Sequence, residues 1–166
     1  MSEKAVRDEL TGLYNRHQFA ETIHSYMAIM DAPGSPLGIM MIDVDYFKEV
    51  NDTHGHLAGD EILRSFKNIP ENCLRDTDFL ARYGGEEFVV LLPNTDPPTL
   101  KLVAERVRTF VATQTFDDIQ KGFGVTVSIG LTHYRGRETA ENFIMRADKA
   151  LYQAKEEGRN RVLYIG

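Results

Sequence analysis

Cysteine is nearly absent from this chain of 166 residues, since Cys73 is the only one. A single thiol excludes an internal disulfide and favours a reducing, cytoplasmic compartment. Long apolar runs are missing as well: the longest, residues 37–42, falls far short of the ~20 residues that a membrane-spanning helix needs. Residues 1–5 carry charge and lack the apolar segment of a secretory signal. We therefore expect a cytoplasmic domain that makes no membrane contact, although a full-length parent protein with a membrane anchor is compatible with it.

An excess of positive charge is also lacking. Nineteen Lys and Arg residues against 25 Asp and Glu residues give a net charge of −6, which argues against a general affinity for DNA or RNA backbones. A small phosphorylated substrate stays open, because local cations or metal ions can outweigh the net charge. The length, with 42% hydrophobic and 27% charged residues, is that of one globular domain with its own core, and we assign residues 1–166 to a single domain.

Apolar residues at helical spacing predict four helices. The apolar stripes are Phe19, Ile23, Tyr26, Met27 and Met30; Ala58, Ile62, Phe66 and Ile69; Leu100, Val103, Ala104, Val107 and Phe110; and Phe143, Ala147, Ala150, Leu151 and Ala154. The first helix should stop before residues 33–36, and the second should end at Pro70. The third should begin at Pro98, and the fourth should end at Gly158.

The remaining apolar segments predict strands. Residues 37–44 are apolar on both faces, which is typical of a central strand. Residues 79–83 and 88–92 flank two glycines and predict a hairpin. From Phe123 to Leu131, apolar residues alternate with smaller or polar ones, which predicts a half-buried strand. Residues 161–165 predict a short edge strand. Because a hairpin interrupts the alternation of helices and strands, we expect an α+β (mixed α/β) fold: a central, mainly antiparallel sheet flanked by helices, similar to a polymerase-type palm.

Two carboxylates fall where strands end. Asp43 closes the central strand and Glu86 lies at the hairpin turn. Carboxylates on adjacent strand ends, completed by a carbonyl such as that of Val44, suit Mg²⁺ (or Mn²⁺) bound together with substrate phosphates. Acidic residues at strand ends are more often simply solvated, and spacing alone does not decide between the two interpretations.

Glycines and cations near these carboxylates also have two interpretations. Gly84 and Gly85 either make the turn or let a nucleotide lie against bare backbone. Lys48, Lys155 and Arg159 either face triphosphate oxygens or, for the last two, simply occupy a helix C-terminus, where cations are favoured. Asp60 should point away from the core, since it falls about 200° around its helix from Ile62.

Eight short segments together carry a family resemblance. GGEEF at residues 84–88 resembles the signature of the GGDEF family, the diguanylate cyclases, in its Glu variant. The other matching segments are DELTGLYNR at 8–16, IDVDYFKEVND at 42–52, GH at 55–56, GD at 59–60, VSIG at 127–130, ADKALYQAK at 147–155 and GRN at 158–160. These matches run in order over nearly the whole chain, so a chance match is excluded.

The resemblance implies a role for each matching residue. Asp43, Glu86 and the Val44 carbonyl would bind magnesium; Glu86 would also accept the proton of the attacking ribose hydroxyl, and Lys48 would stabilise the transition state. The implied substrate residues are Asn51, Asp60 and His56 at the guanine, and the backbone of Tyr46 and Phe47 with the side chains of Lys155 and Arg159 at the phosphates. Asp45 and Glu87 match the motif without a clear role, and His56 has the plain alternative of a loop residue without a contact.

The implied reaction joins two GTP molecules into cyclic di-GMP. Each 3'-hydroxyl attacks the α-phosphate of the other GTP, so two domains must face each other in a transient homodimer. Arg75 and Asp78 resemble the family's product-inhibition site, for which Arg106 of a neighbouring domain is a further candidate cation. The chain's start close to the first motif suggests a fragment of a longer sensor protein. Three alternatives stay open: a non-catalytic domain that senses GTP or cyclic di-GMP, a mixed GMP–AMP or adenylate product, and a polymerase palm.

Overall fold

The computed structural model describes residues 5–31 and 35–166, which form six α-helices and five strands. In chain order these are α1 (Arg16–Met30), β1 (Leu37–Val44), α2 (Phe47–His54), α3 (His56–Ser65), α4 (Ile69–Cys73), β2 (Phe79–Arg82), β3 (Glu87–Pro93), α5 (Pro97–Thr113), β4 (Val127–His133), α6 (Ala140–Glu156) and β5 (Val162–Tyr164). A 3-10 turn, Phe66–Asn68, joins α3 to α4. The first helix ends at Met30, while Pro33 and Gly34 of its expected stop lie outside the described residues.

The five strands form one mixed sheet in the order β2-β3-β1-β4-β5. Three neighbouring pairs are antiparallel, and only β4 and β5 run parallel. All eight residues of β1 are buried, as its apolar run predicted for a central strand. The expected α+β fold, with a mainly antiparallel sheet flanked by helices, is therefore confirmed.

Two apolar cores lie on opposite faces of the sheet because successive side chains of β1 alternate between them. Met40, Ile42 and Val44 face the core formed with α3, α4 and α5. Leu37, Ile39 and Met41 face the core formed with α1 and α6. Gly130 of β4 lies so close to α6 that a Cβ there would collide with the backbone of Ala147 and Leu151. Helix α6, whose last turn carries Lys155, is thereby held tightly against the sheet.

Three details differ from the sequence predictions. Helix α2 was not predicted, because it is short and its N-cap, Tyr46, has a left-handed backbone (φ 57°) and no side-chain cap. Pro70 does not end a helix but lies in the first turn of α4, where proline needs no N–H partner. The strand expected over residues 123–131 begins only at Val127 and is buried on both faces, because α5 and α6 cover it from either side. Across the described residues, no helix has the length and apolar character required to span a membrane.

Candidate functional site

The C-terminal end of β1 places the Asp43 carboxylate at the floor of a cleft. The side chain is nearly buried, and Lys155 Nζ in the last turn of α6 lies 2.8 Å from its Oδ2. Burial raises the pKa of Asp43 to about 6; the ion pair with Lys155 lowers it, while Glu86 and Glu87 raise it further. Asp43 is thus a buried carboxylate with two like charges nearby. Among the ion pairs of the described residues, Lys155 is the one cation that compensates it.

Glu86 reaches the same place from the hairpin between β2 and β3. The Val44 amide donates to the Glu86 carbonyl at 3.2 Å, which fixes the hairpin turn against the end of β1. Arg82 holds the turn from behind, since its guanidinium donates to the carbonyls of Gly84 and Gly85 at 2.8–3.2 Å. Its other nitrogen pairs with Asp8 at 3.2 Å, so the DELTG segment acts as the anchor of the hairpin.

Glycine is not required by the conformation of this turn. Neither Gly84 nor Gly85 has a positive φ, and a Cβ on Gly85 would meet no atom within 4 Å. The interpretation that these glycines merely permit the turn loses its support. A Cβ on Gly84 would lie 3.3 Å from Glu87 Oε1, whereas the space beside Gly85 is open, which suits close approach of a ligand there.

Basic side chains and a helix N-terminus form the other walls of the cleft. The cleft measures about 200 Å³ and is lined by Asp43, Val44, Asp45, Tyr46, Phe47, Lys48, Glu49, Glu86, Lys155 and Arg159. The first amide groups of α2 lack intrahelical partners, and the residues of that first turn, Phe47, Lys48 and Glu49, line the cleft. The Arg159 guanidinium lies 4.9 Å from the Tyr46 ring centroid, whereas Lys48 is exposed and pairs with Asp52 at 2.9 Å. Acidic and basic groups thus share one small space.

The three residues expected at the guanine base do not line this cleft but lie along α2 and α3. Asn51 Oδ1 is buried, and within the described residues no donor reaches it. A Cβ on Gly59 would collide with this oxygen, so glycine there preserves the space around Asn51. Asp60, next to Gly59, is half-buried, and His56 is exposed at the start of α3. The buried Asn51 amide oxygen therefore has hydrogen-bonding capacity that the described residues do not use.

The expected inhibitory residues lie at the other end of the hairpin. Arg75 donates to Asp78 Oδ1 at 2.7 Å, to Thr95 Oγ1 at 2.6 Å and to the Pro93 carbonyl at 2.9 Å. The structure therefore brings Arg75 and Asp78 together as a preformed pair. Arg106 on α5 donates instead to the Cys73 carbonyl at 3.3 Å. Its hydrogen bonds in the described part of the chain involve neither Arg75 nor Asp78.

Sequence reasoning gave Asp45 no role, yet its carboxylate is buried and makes three hydrogen bonds. Thr126 Oγ1 and Ser128 Oγ donate to it at 2.7 Å, and the Asn160 amide donates at 3.0 Å. These donors lie 81 to 115 residues away in the chain, so no local pattern indicates them. The Asp8–Arg82 pair was missed for the same reason. The only signal was that all of these residues except Thr126 and Arg82 fall within the matched motifs.

The fold and the cleft together define an α+β domain with a cleft of acidic and basic side chains at the end of its central strand. The sequence profile described as "Diguanylate cyclase, GGDEF domain" matches residues 5–161. The chain belongs to the GGDEF family of diguanylate cyclase domains.

Named relatives and solved structures agree with this assignment. The chain is 42% identical over 164 residues to diguanylate cyclase A of Treponema denticola, covering 96% of the chain and 44% of the relative. It is 41% identical to response regulator PleD of Caulobacter vibrioides, covering 97% and 36%. The chain thus spans less than half of either relative.

Two solved structures show the same fold. The diguanylate cyclase SiaD of Pseudomonas aeruginosa, in complex with its activator SiaC, superposes with a TM-score of 0.92 at 39% identity, over 97% of this chain and 62% of that one. The GGDEF domain of DgcB from Caulobacter crescentus, in complex with c-di-GMP, gives a TM-score of 0.91 at 31% identity, over 99% and 98%. The ligand named there belongs to that protein.

The raised pKa of Asp43 predicts a stability effect. In the folded chain Asp43 binds its proton more tightly than in the unfolded chain, so its ionisation lowers the free energy of unfolding as the pH rises from about 4 through 6. Asp43→Asn mimics the neutral form. We expect it to raise Tm by about 3 °C at pH 8 without metal, roughly 1 kcal/mol for a chain of this size, and to raise it little at pH 4.

Thermal unfolding of both proteins across this pH range measures the effect, with the exposed loop variant Asp76→Asn as the matched control. A Tm that falls in Asp43→Asn at pH 8 would show that the Lys155 ion pair outweighs the cost of burial.

Proposed function

We propose that this domain condenses two GTP molecules into cyclic di-GMP with release of two pyrophosphates. One observation supports the proposal most strongly: Asp43, Glu86, Lys155 and Arg159 surround a single cleft at the N-terminus of α2. Acidic groups suit a bound magnesium ion, while cations and free amides suit the phosphates that accompany it. Membership of the GGDEF family supplies the particular reaction.

The basic wall of the cleft binds the triphosphate. The amides at the start of α2, including that of Phe47, donate to phosphate oxygens, since helix N-termini favour anions. Lys155 and Arg159 add their charges from the end of α6 and the turn that follows. Lys155 is engaged with Asp43 in the free chain, so substrate binding redistributes this cation toward the phosphates. Lys48, exposed at the mouth, can leave Asp52 at little cost.

The guanine base binds between α2 and α3. Asn51 Oδ1 offers a buried acceptor that no described residue satisfies, and the guanine exocyclic amine is a donor that fits it. The Asp60 carboxylate accepts the N1–H and the amine together, a pair of donors that adenine lacks. His56 lies beside them on α3. This arrangement selects GTP over ATP, which argues against a mixed or adenylate product.

The donor set also fits magnesium. Within residues 5–31 and 35–166, no three His, Cys, Asp or Glu side chains group closely enough to hold a metal ion by themselves. Asp43 and Glu86, with the Val44 carbonyl, provide three oxygen ligands and leave the remaining positions to phosphate and water, as is usual for Mg²⁺. When bound, the ion would neutralise the charge of the transferring phosphoryl group. Mn²⁺ prefers the same oxygen donors.

The reaction forms a bond between a ribose O3' and the α-phosphorus of the opposite GTP and breaks the bond to pyrophosphate. Glu86, at the hairpin turn, accepts the proton that leaves the 3'-hydroxyl. One domain holds one GTP, so two copies must face each other across a two-fold axis, and the reaction happens twice. The rate is therefore second order in protein when the domains are dilute.

Turnover gives the direct test of this function. Purified protein with GTP and Mg²⁺ should yield cyclic di-GMP and pyrophosphate, identified by mass, and should yield no cyclic product from ATP. Glu86→Gln should lower the rate by at least about 10²-fold, because the substitution removes both a metal ligand and the proton acceptor. Removal of the metal ion with EDTA should abolish turnover. Glu71→Gln, an exposed carboxylate on α4, is the matched control and should keep the native rate.

The absence of cyclic di-GMP under these conditions, with GTP still bound, would favour a non-catalytic sensor domain instead. A Glu86→Gln variant with native activity and an unchanged melting curve would remove Glu86 from the reaction.

The Arg75–Asp78 pair gives a second, regulatory part of the proposal. GGDEF domains of DgcB have been crystallised in complex with c-di-GMP. Here Arg75 and Asp78 pair with each other and the Asp78 side chain has no exposed surface, so the pair must open before product binds. Once it opens, the Arg75 fork suits guanine O6 and N7 or phosphate, and the Asp78 carboxylate is an acceptor for N1–H and the amine. We propose that product binds there and holds two domains in an unproductive arrangement, with Arg106 of a neighbouring domain as a further contact.

Arg75→Ala should therefore weaken inhibition by cyclic di-GMP by about tenfold or more, as the loss of one bidentate contact implies. Initial rates against added product, at several GTP concentrations, measure this; Arg64→Ala, on the exposed face of α3, is the control. Coincident inhibition curves for the native protein and Arg75→Ala, or complete reversal by GTP, would contradict a separate product site.

A further inference from the structure

Asp45 is one of the residues that line the cleft, and its carboxylate is hydrogen-bonded within the protein. Oδ1 accepts from Ser128 Oγ, and Oδ2 accepts from both Thr126 Oγ1 and the Asn160 amide. The residue is only 4% exposed. Three donors satisfy the carboxylate within the protein, so its geometry is that of a structural anchor and differs from that of Asp43, which faces a single cation.

The segment that Asp45 anchors has an unfavourable backbone conformation. Gly158 ends α6 at φ 123°, and Arg159 and Asn160 follow at φ 62° and 45°. Two successive non-glycine residues in the left-handed region persist only where neighbouring contacts hold them. The contacts are the Asn160 amide on Asp45, the Asn160 side chain, which accepts from Arg108 at 2.9 Å, and the Arg159 amide, which donates to the Ala154 carbonyl of α6 at 3.0 Å. The turn is thus pinned from the sheet and from α5.

This turn carries a residue of the cleft. Arg159 has its guanidinium over the Tyr46 ring, and Tyr46 directly follows Asp45 in the chain. The Asp45 amide also donates to the Thr126 carbonyl at 2.9 Å. One residue therefore fixes both partners of the cation–π contact: Tyr46 through the backbone and Arg159 through the Asn160 amide.

We propose that Asp45 is a positioning residue that holds Arg159 in the cleft and thereby sets the affinity for the triphosphate. The inference rests on the proposed function, because it takes GTP as the occupant of the cleft. Its consequence is specific. Loss of the anchor should weaken binding of the phosphates and leave binding of the nucleoside, which contacts α2 and α3, nearly unchanged.

The test compares a triphosphate with its nucleoside. 3'-Deoxy-GTP lacks the attacking hydroxyl, so its Kd can be measured by calorimetry with Mg²⁺ and without turnover; 3'-deoxyguanosine is measured by competition. Asp45→Ala should raise the Kd of 3'-deoxy-GTP about tenfold, the scale of one charge-assisted hydrogen bond, and that of the nucleoside less than about twofold. Glu138→Gln, which breaks a similarly buried ion pair with Arg146 far from the cleft, should change neither Kd.

Two further variants separate positioning from other roles. Asp45→Asn should restore most of the affinity, because its amide oxygen accepts from Thr126 and Asn160 while its NH₂ donates to Ser128. In an Arg159→Ala background, Asp45→Ala should add less than about a twofold change, since the group it positions is gone. If Asp45→Ala does not fold, Thr126→Val takes its place, because it removes one donor from the same oxygen and should shift the triphosphate Kd in the same direction.

Equal weakening of triphosphate and nucleoside, additive effects with Arg159→Ala, or an Asn variant as impaired as the Ala variant would each overturn the inference. Native affinity in Asp45→Ala would overturn it as well, and would leave the proposed function standing. Failure of the native protein to bind 3'-deoxy-GTP would overturn the proposed function, and the inference with it.

Discussion

The site depends on one constraint: the central strand of the sheet ends in two buried carboxylates that need different partners. A buried charge is costly unless ion pairs or hydrogen bonds compensate it. Asp45 is compensated within the protein by three donors from β4, the segment before it and the turn after α6. Among the described residues, Lys155 is the one cation paired with Asp43; burial, with Glu86 and Glu87 close by, outweighs this pair and raises the pKa of Asp43 to about 6. Asp45 is thus satisfied within the protein, whereas Asp43 keeps a charge that the protein compensates only partly.

Contacts elsewhere in the fold bring the other groups of the cleft to the end of β1, where these two carboxylates lie. Gly130 lets α6 approach the sheet closely enough to bring Lys155 to Asp43. The Asp8–Arg82 pair ties the hairpin down, and the Val44 amide then sets Glu86 beside the strand end. Each of these contacts joins segments far apart in the chain. The charges of the cleft are therefore balanced only partly by the protein itself. In the proposed function, a metal ion bound with a triphosphate would complete that balance.

The sequence predicted those features that local chemistry determines. The apolar run of β1, the hairpin, the carboxylates at the strand ends and the glycine stop of α6 each have a signal within a few residues. Helix α2 was missed because it starts from a left-handed tyrosine without a side-chain cap, and Pro70 was misassigned because a proline that ends one helix looks the same as one that begins the next. The role of Asp45 depends on Thr126, Ser128 and Asn160, which only the tertiary fold brings to it. Burial of both faces of β4 likewise depends on helices elsewhere in the chain.

A crystal structure with 3'-deoxy-GTP and Mg²⁺ tests the central claim most directly, since it observes how the two carboxylates respond to the ligand. The account predicts phosphates in the cleft at the N-terminus of α2, Lys155 Nζ moved from Asp43 to a phosphate oxygen, and the three hydrogen bonds of Asp45 unchanged. Phosphates bound elsewhere, with Lys155 still 2.8 Å from Asp43, would contradict it.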